Sequence, residues 1–337
     1  MRAVVVTRPG GPEVLRVEEV PEPVPGPGEL LVQVVAAGVN RADLLQREGH
    51  YPPPPGAPTW PGLEVSGVVV GVGPDVADAP AAGGAGSAGP GPRVGDPVVA
   101  LLAGGGYAER VTVAASHTLP PPDGVALTDA AALPEAVATV WSNLRAARLA
   151  PGETLLVHGG SGGVGSVAVQ LGRALGARVV ATAGGAQRCA RVAALGADVV
   201  VDHREEDVAP RVREATGGRG VDVVLDVLGG RALGTNVSLL AEGGRLVVIG
   251  LQQGRRGELD LSALMARRGS VIGTTLRDRP AAQKAAIMAE VAEHVWPLVA
   301  AGRVRPVVHA RLPLDRAAEA HRLLASGEVL GKLLLEP

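Results

Sequence analysis

Between Glu153 and Ser166 the chain reads Glu-Thr-Leu-Leu-Val-His-Gly-Gly-Ser-Gly-Gly-Val-Gly-Ser. Thr154 to Val157 is a short apolar run of the kind that forms a strand covered on both faces. Beyond the glycines, Val164, Val167, Ala168, Leu171 and Leu175 recur at helical spacing. A glycine cluster set between a strand and a helix is the context of a dinucleotide-binding turn. Gly160, Gly162 and Gly165 meet the G-x-G-x-x-G spacing literally. The spacing assigns the tight turn to Gly160, approach of a pyrophosphate to Gly162, and close packing of helix on strand to Gly165. Ser161, Gly163 and Val164 fall in the same loop, at a helix start whose unpaired N–H groups and positive dipole end attract phosphate. Alone, the motif competes with a plain glycine-rich loop, since the chain holds 48 glycines; its strand–turn–helix setting is what raises it.

The rhythm on either side defines the architecture. Up to about residue 123, short Val-rich runs recur at Ala3–Thr7, Val14–Val17, Leu30–Ala36, Val65–Gly71, Val98–Leu102 and Arg110–Val113. Turn clusters such as Pro23–Gly28 separate them, the pattern of a mostly antiparallel, barrel-like β domain. Arg41–Glu48 reads as a short helix and Tyr51–Gly56 as a stiff proline loop. Ala79–Pro92, almost wholly Ala, Gly and Pro, reads as a flexible surface insertion. From Thr128, a candidate N-cap, a helical stretch runs to Leu149, bent or interrupted at Pro134. Strands are then expected at Thr154–Val157, Arg178–Thr182, Val199–Val201, Val221–Asp226, Arg245–Ile249 and Ser270–Thr274. Helices are expected at Gly163–Leu175, Gln187–Leu195, Glu206–Ala215 and Arg231–Leu240. The fold class is therefore α/β: a doubly wound parallel Rossmann sheet over 124–277, and a β-barrel-like domain over 1–123 completed by 278–337. A helix over Ala281–Ala300 and the run Val304–Pro337 form that return.

Composition narrows the function. The formal charge of -2 gives no global pull toward nucleic acid or an anionic membrane. No apolar run reaches membrane-spanning length, and the apolar run after Met1 is too short for a signal peptide. Cys189 is the only cysteine, so neither an internal disulfide nor a cysteine zinc cluster can form. A soluble, cytoplasmic setting is the expectation. Phenylalanine is absent, so cores must be built from Val, Leu and Ala.

The dinucleotide can be specified further. NAD sites place a carboxylate about 20 residues past the glycines, on the ribose hydroxyls. Here no acid occurs between Glu153 and Asp198. The second strand instead leads through Gly184 to Arg188, a cation suited to an adenosine 2′-phosphate, with His203 after the third strand as a second neighbour. The expected cofactor is NADPH. An exposed helix arginine is the competing reading of Arg188.

At this point the chain resembles the medium-chain dehydrogenase/reductases over nearly its whole length. Within them it is similar to NADPH:quinone oxidoreductases of the zeta-crystallin type, nearest the tumour-suppressor-inducible branch. The matching stretches are Asn40–Gly56, Gly62–Gly67, Leu133–Ala136, His158–Gly165, Asp202–Asp207 and Gly331-Lys332. The resemblance implies a Rossmann domain plus a GroES-like catalytic domain, and a homodimer joined through the edge strand Ser270–Thr274. It also implies that Asn40 and Tyr51 line the acceptor site. By helical spacing Asp43 shares the face of Asn40 and Gln46 lies partly round from it, with solvated helix polar groups as the competing reading of both. Val227, Gly250, Leu251, Thr275, Leu276, Arg277 and Lys332 are the further cofactor positions the resemblance implies, Arg277 reaching the pyrophosphate or the acceptor. Where zinc alcohol dehydrogenases carry Gly-His-Glu, this chain reads Gly62-Leu63-Glu64; where they place a catalytic cysteine, it has the Gly38–Asn40 region. No metal is therefore expected. The expected reaction is reduction of a quinone, or another small electrophile, by NADPH. The alternative is reduction of an alkenal or enoyl thioester, which would need a proton donor such as Tyr51 or Asp43. A lower alternative is a structural or RNA-binding crystallin-like protein, against which the absence of a basic, aromatic surface signature argues.

Overall fold

The structure, a computed structural model, describes residues 1–76 and 91–337. The expected insertion Ala79–Pro92 lies, up to residue 90, outside the described residues. Two units form: Met1–Ala138 with Leu276–Gly302 and Pro306–Pro337, and Thr139–Thr275 with Arg303–Arg305.

The first unit begins with β1 (Arg2–Val6), β2 (Leu15–Glu19), β3 (Glu29–Val39), α1 (Arg41–Arg47), β4 (Glu64–Val72), β5 (Pro97–Leu101), β6 (Arg110–Ala114) and β7 (Thr118–Leu119). Two helices follow, α2 (Leu127–Ala130) and α3 (Pro134–Ala146), and α3 leads into the second unit. Thr128 does not cap this stretch. Ala126 occupies the cap position, without a side-chain bond, and Thr128 lies inside α2. Pro134 opens a new helix rather than bending one, because a first-turn proline lacks only an N–H that would be unpaired anyway.

The second unit continues with β8 (Thr154–Val157), α4 (Gly163–Ala174), β9 (Arg178–Ala183), α5 (Ala186–Ala194), β10 (Val199–Asp202), α6 (Val208–Ala215), β11 (Val221–Asp226), α7 (Leu233–Ser238), β12 (Leu240–Val248), α8 (Leu261–Ala266) and β13 (Ser270–Gly273). The strands form one parallel sheet in the order β10-β9-β8-β11-β12-β13. Its core is Leu156, Val180, Val201, Val224, Leu240 and Leu246, all fully buried aliphatics. The sequence places strand β12 from Arg245 and runs the preceding helix to Leu240. In the structure the helix ends at Ser238 and the strand already begins at Leu240, carrying Gly243 and Gly244 within it. Helix α8, capped by Asp260 through the N–H groups of Ser262 and Ala263, had no helical periodicity to announce it.

The chain then returns to the first unit through α9 (Ala281–His294), α10 (Trp296–Ala300), β14 (Val308–Pro313), α11 (Ala317–Ser326) and β15 (Lys332–Glu336). β15 lies antiparallel to β3, pairing Leu333 with Val39 and Leu335 with Ala37. β3 also pairs β4 and β6, so the first unit is organised about this one strand of 11 residues. Leu30, Val32, Val69, Val111, Leu333 and Leu335 pack its core. Every pairing in the sheet is antiparallel except β14 with β15. Among the described residues, no helix is long and apolar enough to cross a membrane.

Candidate functional site

In the first unit three adjacent strands end together. β3 finishes at Val39, β4 starts at Glu64 and β15 starts at Lys332. With β15 and β4 antiparallel on either side of β3, the register brings Asn40, Glu64 and Lys332 to one edge. The Lys332 ammonium forms an ion pair with Glu64 and donates to Asn40 Oδ1 at 2.5 Å. Asn40 Nδ2 donates to Glu64 Oε1 at 2.9 Å and, more weakly, to the Gly38 carbonyl at 3.4 Å. Glu64 Oε2 accepts from the Glu135 N–H at 2.9 Å. A side chain at position 38 would collide with the Glu64 carboxylate, so glycine is required there. Glu64 is fully buried and Lys332 4% exposed. Lys332, expected beside a cofactor, thus spends its charge inside this unit.

Asn40 also begins α1, and Asp43 at the third helical position closes the turn. Its carboxylate accepts from the N–H of Asn40 at 2.8 Å, the N–H of Gly62 at 3.0 Å and the Tyr107 hydroxyl at 3.1 Å. Tyr107 in turn meets His321 Nε2 at 3.2 Å, and Arg47 donates to His321 Nδ1 at 3.4 Å. Since Tyr107 gives its proton to Asp43, the satisfied tautomer of His321 is neutral with hydrogen on Nε2. Burial pushes His321 down to about 3, with Arg47 adding to the effect. Burial raises Asp43 to about 6 against the pull of its three donors. Asp43 has no exposed surface, so its contribution is to hold the turn that carries Asn40.

Tyr51 is half-buried, and burial pushes its phenol up to about 12. Its hydroxyl lies 3.4 Å from Asp278 and its ring beneath the Arg277 guanidinium at 5.2 Å. Arg277 is 5% exposed. It donates to the carbonyls of Ala103 at 2.7 Å and Tyr51 at 3.2 Å, and to Gln46 Oε1 at 2.7 Å. Arg277 therefore fastens the Tyr51 loop to α1. Leu276 lines a small cavity in the same unit.

The second unit holds the glycine turn. The left-handed residue is Gly159 (φ 69°), not Gly160 as the spacing suggests. A Cβ on Gly160 would instead press on Ala181 and Val192 at 3.0 and 3.1 Å. At Gly165 a Cβ would run into the Gly159 carbonyl, so helix packing demands glycine there. At Gly162, the N-cap of α4, it would meet only the Gly159 oxygen at 3.5 Å. No side chain caps α4, which leaves the N–H groups around Ser161, Gly163 and Val164 for an anion. His158, just before the turn, is buried and tied to Asn236 Oδ1 at 2.7 Å; burial lowers its pKa. Asp226 accepts from the N–H groups of Leu228 and Gly229, and Val227 lies within that turn.

At the end of β9 the ring of His203 and the guanidinium of Arg204 both come within 3.0 Å of where a Gly184 side chain would stand. Arg188 Nε donates to the Gly184 carbonyl at 2.6 Å. Three basic side chains thus surround this backbone. Arg204 escaped the sequence reading, although it directly follows His203. The nearby Asp202 carboxylate is turned onto the N–H groups of Gly185 and Arg204, which hold its pKa below the usual range. Gly250, the half-exposed Leu251 and Thr275 follow β12 and β13, at the carboxyl edge of the sheet where ligands of such folds bind. Among the described residues, no group of three or more His, Cys, Asp or Glu could hold a metal ion.

Residues 26–123 match the model of the alcohol dehydrogenase GroES-like domain, and residues 163–293 that of the zinc-binding dehydrogenases. The chain is 33% identical to rat (Rattus norvegicus) quinone oxidoreductase over 99% of its length and 97% of the relative's. It is 34% identical, over 98% of its length, to a segment making up 14% of a phenolphthiocerol/phthiocerol polyketide synthase subunit of Mycobacterium tuberculosis. The structure of Escherichia coli quinone oxidoreductase complexed with NADPH superposes with a TM-score of 0.85, at 31% identity and full coverage of both chains.

The Glu64–Lys332 pair makes a direct prediction. In Lys332→Met the carboxylate stays buried without its counter-charge, and stability should fall by about 3–5 kcal/mol. Adding Glu64→Gln should recover most of that loss in thermal or denaturant unfolding. A double variant as unstable as the single one would refute the assignment.

Proposed function

The chain belongs to the medium-chain dehydrogenase/reductase family, and we propose that it is an NADPH-dependent oxidoreductase that reduces a quinone without a metal. The observation that carries the cofactor half is the basic set Arg188, His203 and Arg204 around Gly184, combined with a stretch free of acids from Thr154 to Ala197. A 2′-phosphate suits that set, whereas a bare ribose would call for a carboxylate. The turn fits the diphosphate: Gly162 presents open backbone and α4 presents unpaired N–H groups. Val227, Gly250, Leu251 and Thr275 are the further contacts on this reading. When bound, the reduced nicotinamide supplies the hydride.

The protein's own work is then to orient and enclose. A quinone is a flat electrophile that fits against an aromatic ring, and Tyr51 is held for that purpose by Arg277. Asn40 is fixed through Lys332, Glu64 and the turn closed by Asp43; its long bond to Gly38 is the one a carbonyl oxygen can replace. Leu63 and the Gly38–Asn40 region stand where the zinc enzymes of the resemblance carry ligands, which supports a metal-free reaction. Similarity to quinone oxidoreductases over the whole chain supports the acceptor. Similarity to part of a polyketide synthase supports an enoyl acceptor as the second reading. The single cysteine agrees with a cytoplasmic setting.

Three measurements check this reading. With NADPH, quinones should be reduced faster than alkenals and enoyl thioesters; absence of NADPH oxidation with every acceptor would exclude it. Arg188→Asp should weaken NADPH binding by about tenfold or more while changing NADH binding little, and equal losses would remove the 2′-phosphate assignment. We also propose a dimer through β13, an edge strand that leaves Val271 38% exposed. Sedimentation should then show dimers at micromolar concentration, and monomers alone would rule this interface out.

A further inference from the structure

Lys284 and Lys332 are the only lysines among 32 basic side chains, and both are buried, with 7% and 4% exposure. A chain that otherwise relies on arginine keeps a compact amine at two interior positions. The difference matters chemically, because a buried ammonium can release its proton and a guanidinium cannot. Lys332 is held by Glu64. Among the described residues Lys284, on α9, has no such ion pair: its ammonium donates to the Arg277 carbonyl at 3.2 Å.

Lys284 lines a cavity of about 10 Å³ with Leu63, Leu101, Leu102, Glu135, Leu276 and Arg277. That is room for one water or one carbonyl oxygen. Both clusters of the first unit reach its wall. Glu135 donates its N–H to Glu64, and Arg277 binds the carbonyl of Tyr51. The other proton donors considered for an acceptor are poorly placed. Asp43 is sealed by three donors and has no exposed surface, and the Tyr51 phenol is too weak an acid at about 12.

We propose that Lys284 is the proton donor of the acceptor site, its ammonium protonating the oxygen of a carbonyl acceptor seated in this cavity. The inference rests on the oxidoreductase reading above. As hydride reaches the acceptor, an electron pair settles on the carbonyl oxygen. One Nζ–H bond breaks, an O–H bond forms, and the neutral amine recovers a proton from water. The groups facing Lys284 are Arg277, Asp278, Glu135 and His117. Burial lowers its pKa and Arg277 adds to that, while Asp278 opposes it. As pH rises, its acid form is therefore lost below the usual lysine range.

The test uses the full chain with Lys284→Gln and Lys284→Arg. NADPH affinity, read by fluorescence titration, should stay within about twofold of wild type, whereas kcat should fall at least about tenfold in both variants. The decline of wild-type kcat at alkaline pH should vanish from the variants, and methylamine should restore part of the rate to Lys284→Ala. In the unsubstituted protein, lysine labelled with ¹³C at Cε gives two signals to titrate, and that of Lys284 should move below the ordinary lysine range. Wild-type kcat and alkaline decline in either variant, or an ordinary lysine titration, would overturn the proposal even if no variant folds. Wild-type protein that binds NADPH and reduces no acceptor would instead remove the underlying functional reading.

Discussion

The ion pair between Glu64 and Lys332 is the constraint on which the first unit's site depends. A carboxylate with no exposed surface survives only if its charge is compensated and its lone pairs are filled. Lys332, Asn40 and the Glu135 N–H do both. Each partner comes from a different element, so satisfying one carboxylate fixes the end of β3, the start of β15 and the first turn of α3 together. Asn40 is positioned as a consequence, and Asp43 then sets the direction in which α1 leaves.

The second unit solves a different problem. Its sheet is filled by aliphatic side chains, and its site is nearly all backbone: a left-handed Gly159, an open Gly162 and a Gly165 that lets α4 approach. Side-chain chemistry enters at one corner, around Gly184. The two units thus divide the labour, one offering uncapped N–H groups to an anion and the other a buried polar network around Asn40 with an aromatic ring beside it.

The parallel sheet was legible because most strands of the second unit are short apolar runs, and the first of them leads through the glycines to a helix with clear periodicity. Thr154–Val157 and Val221–Asp226 are found at the expected residues. The reading slipped where packing rather than pattern decides. Gly243 and Gly244 hid the first half of β12, and Ala126 rather than Thr128 precedes α2. In the site, Gly162 and Gly165 could be read from spacing, but the turn residue moved by one because φ is not written in the sequence. Glu64, Tyr107 and His321 could not be joined to Asn40 beforehand, since their link is tertiary. Lys284 left a compositional trace, being one of two lysines, yet only its burial gives that trace meaning.

The pairing of β15 with β3 has a consequence for how the molecule comes into being. Asn40 and Lys332 are separated by 292 positions, and the whole parallel sheet lies between them in the chain. The second unit is contiguous but for three residues and can organise from neighbouring segments, whereas the first must wait for a contact of very high sequence separation. During synthesis, β3 and β4 emerge long before their partner, with an open edge and an uncompensated acid between them. The residues that arrange Asn40 therefore act as a late checkpoint: the site acquires its shape only when the last strand docks.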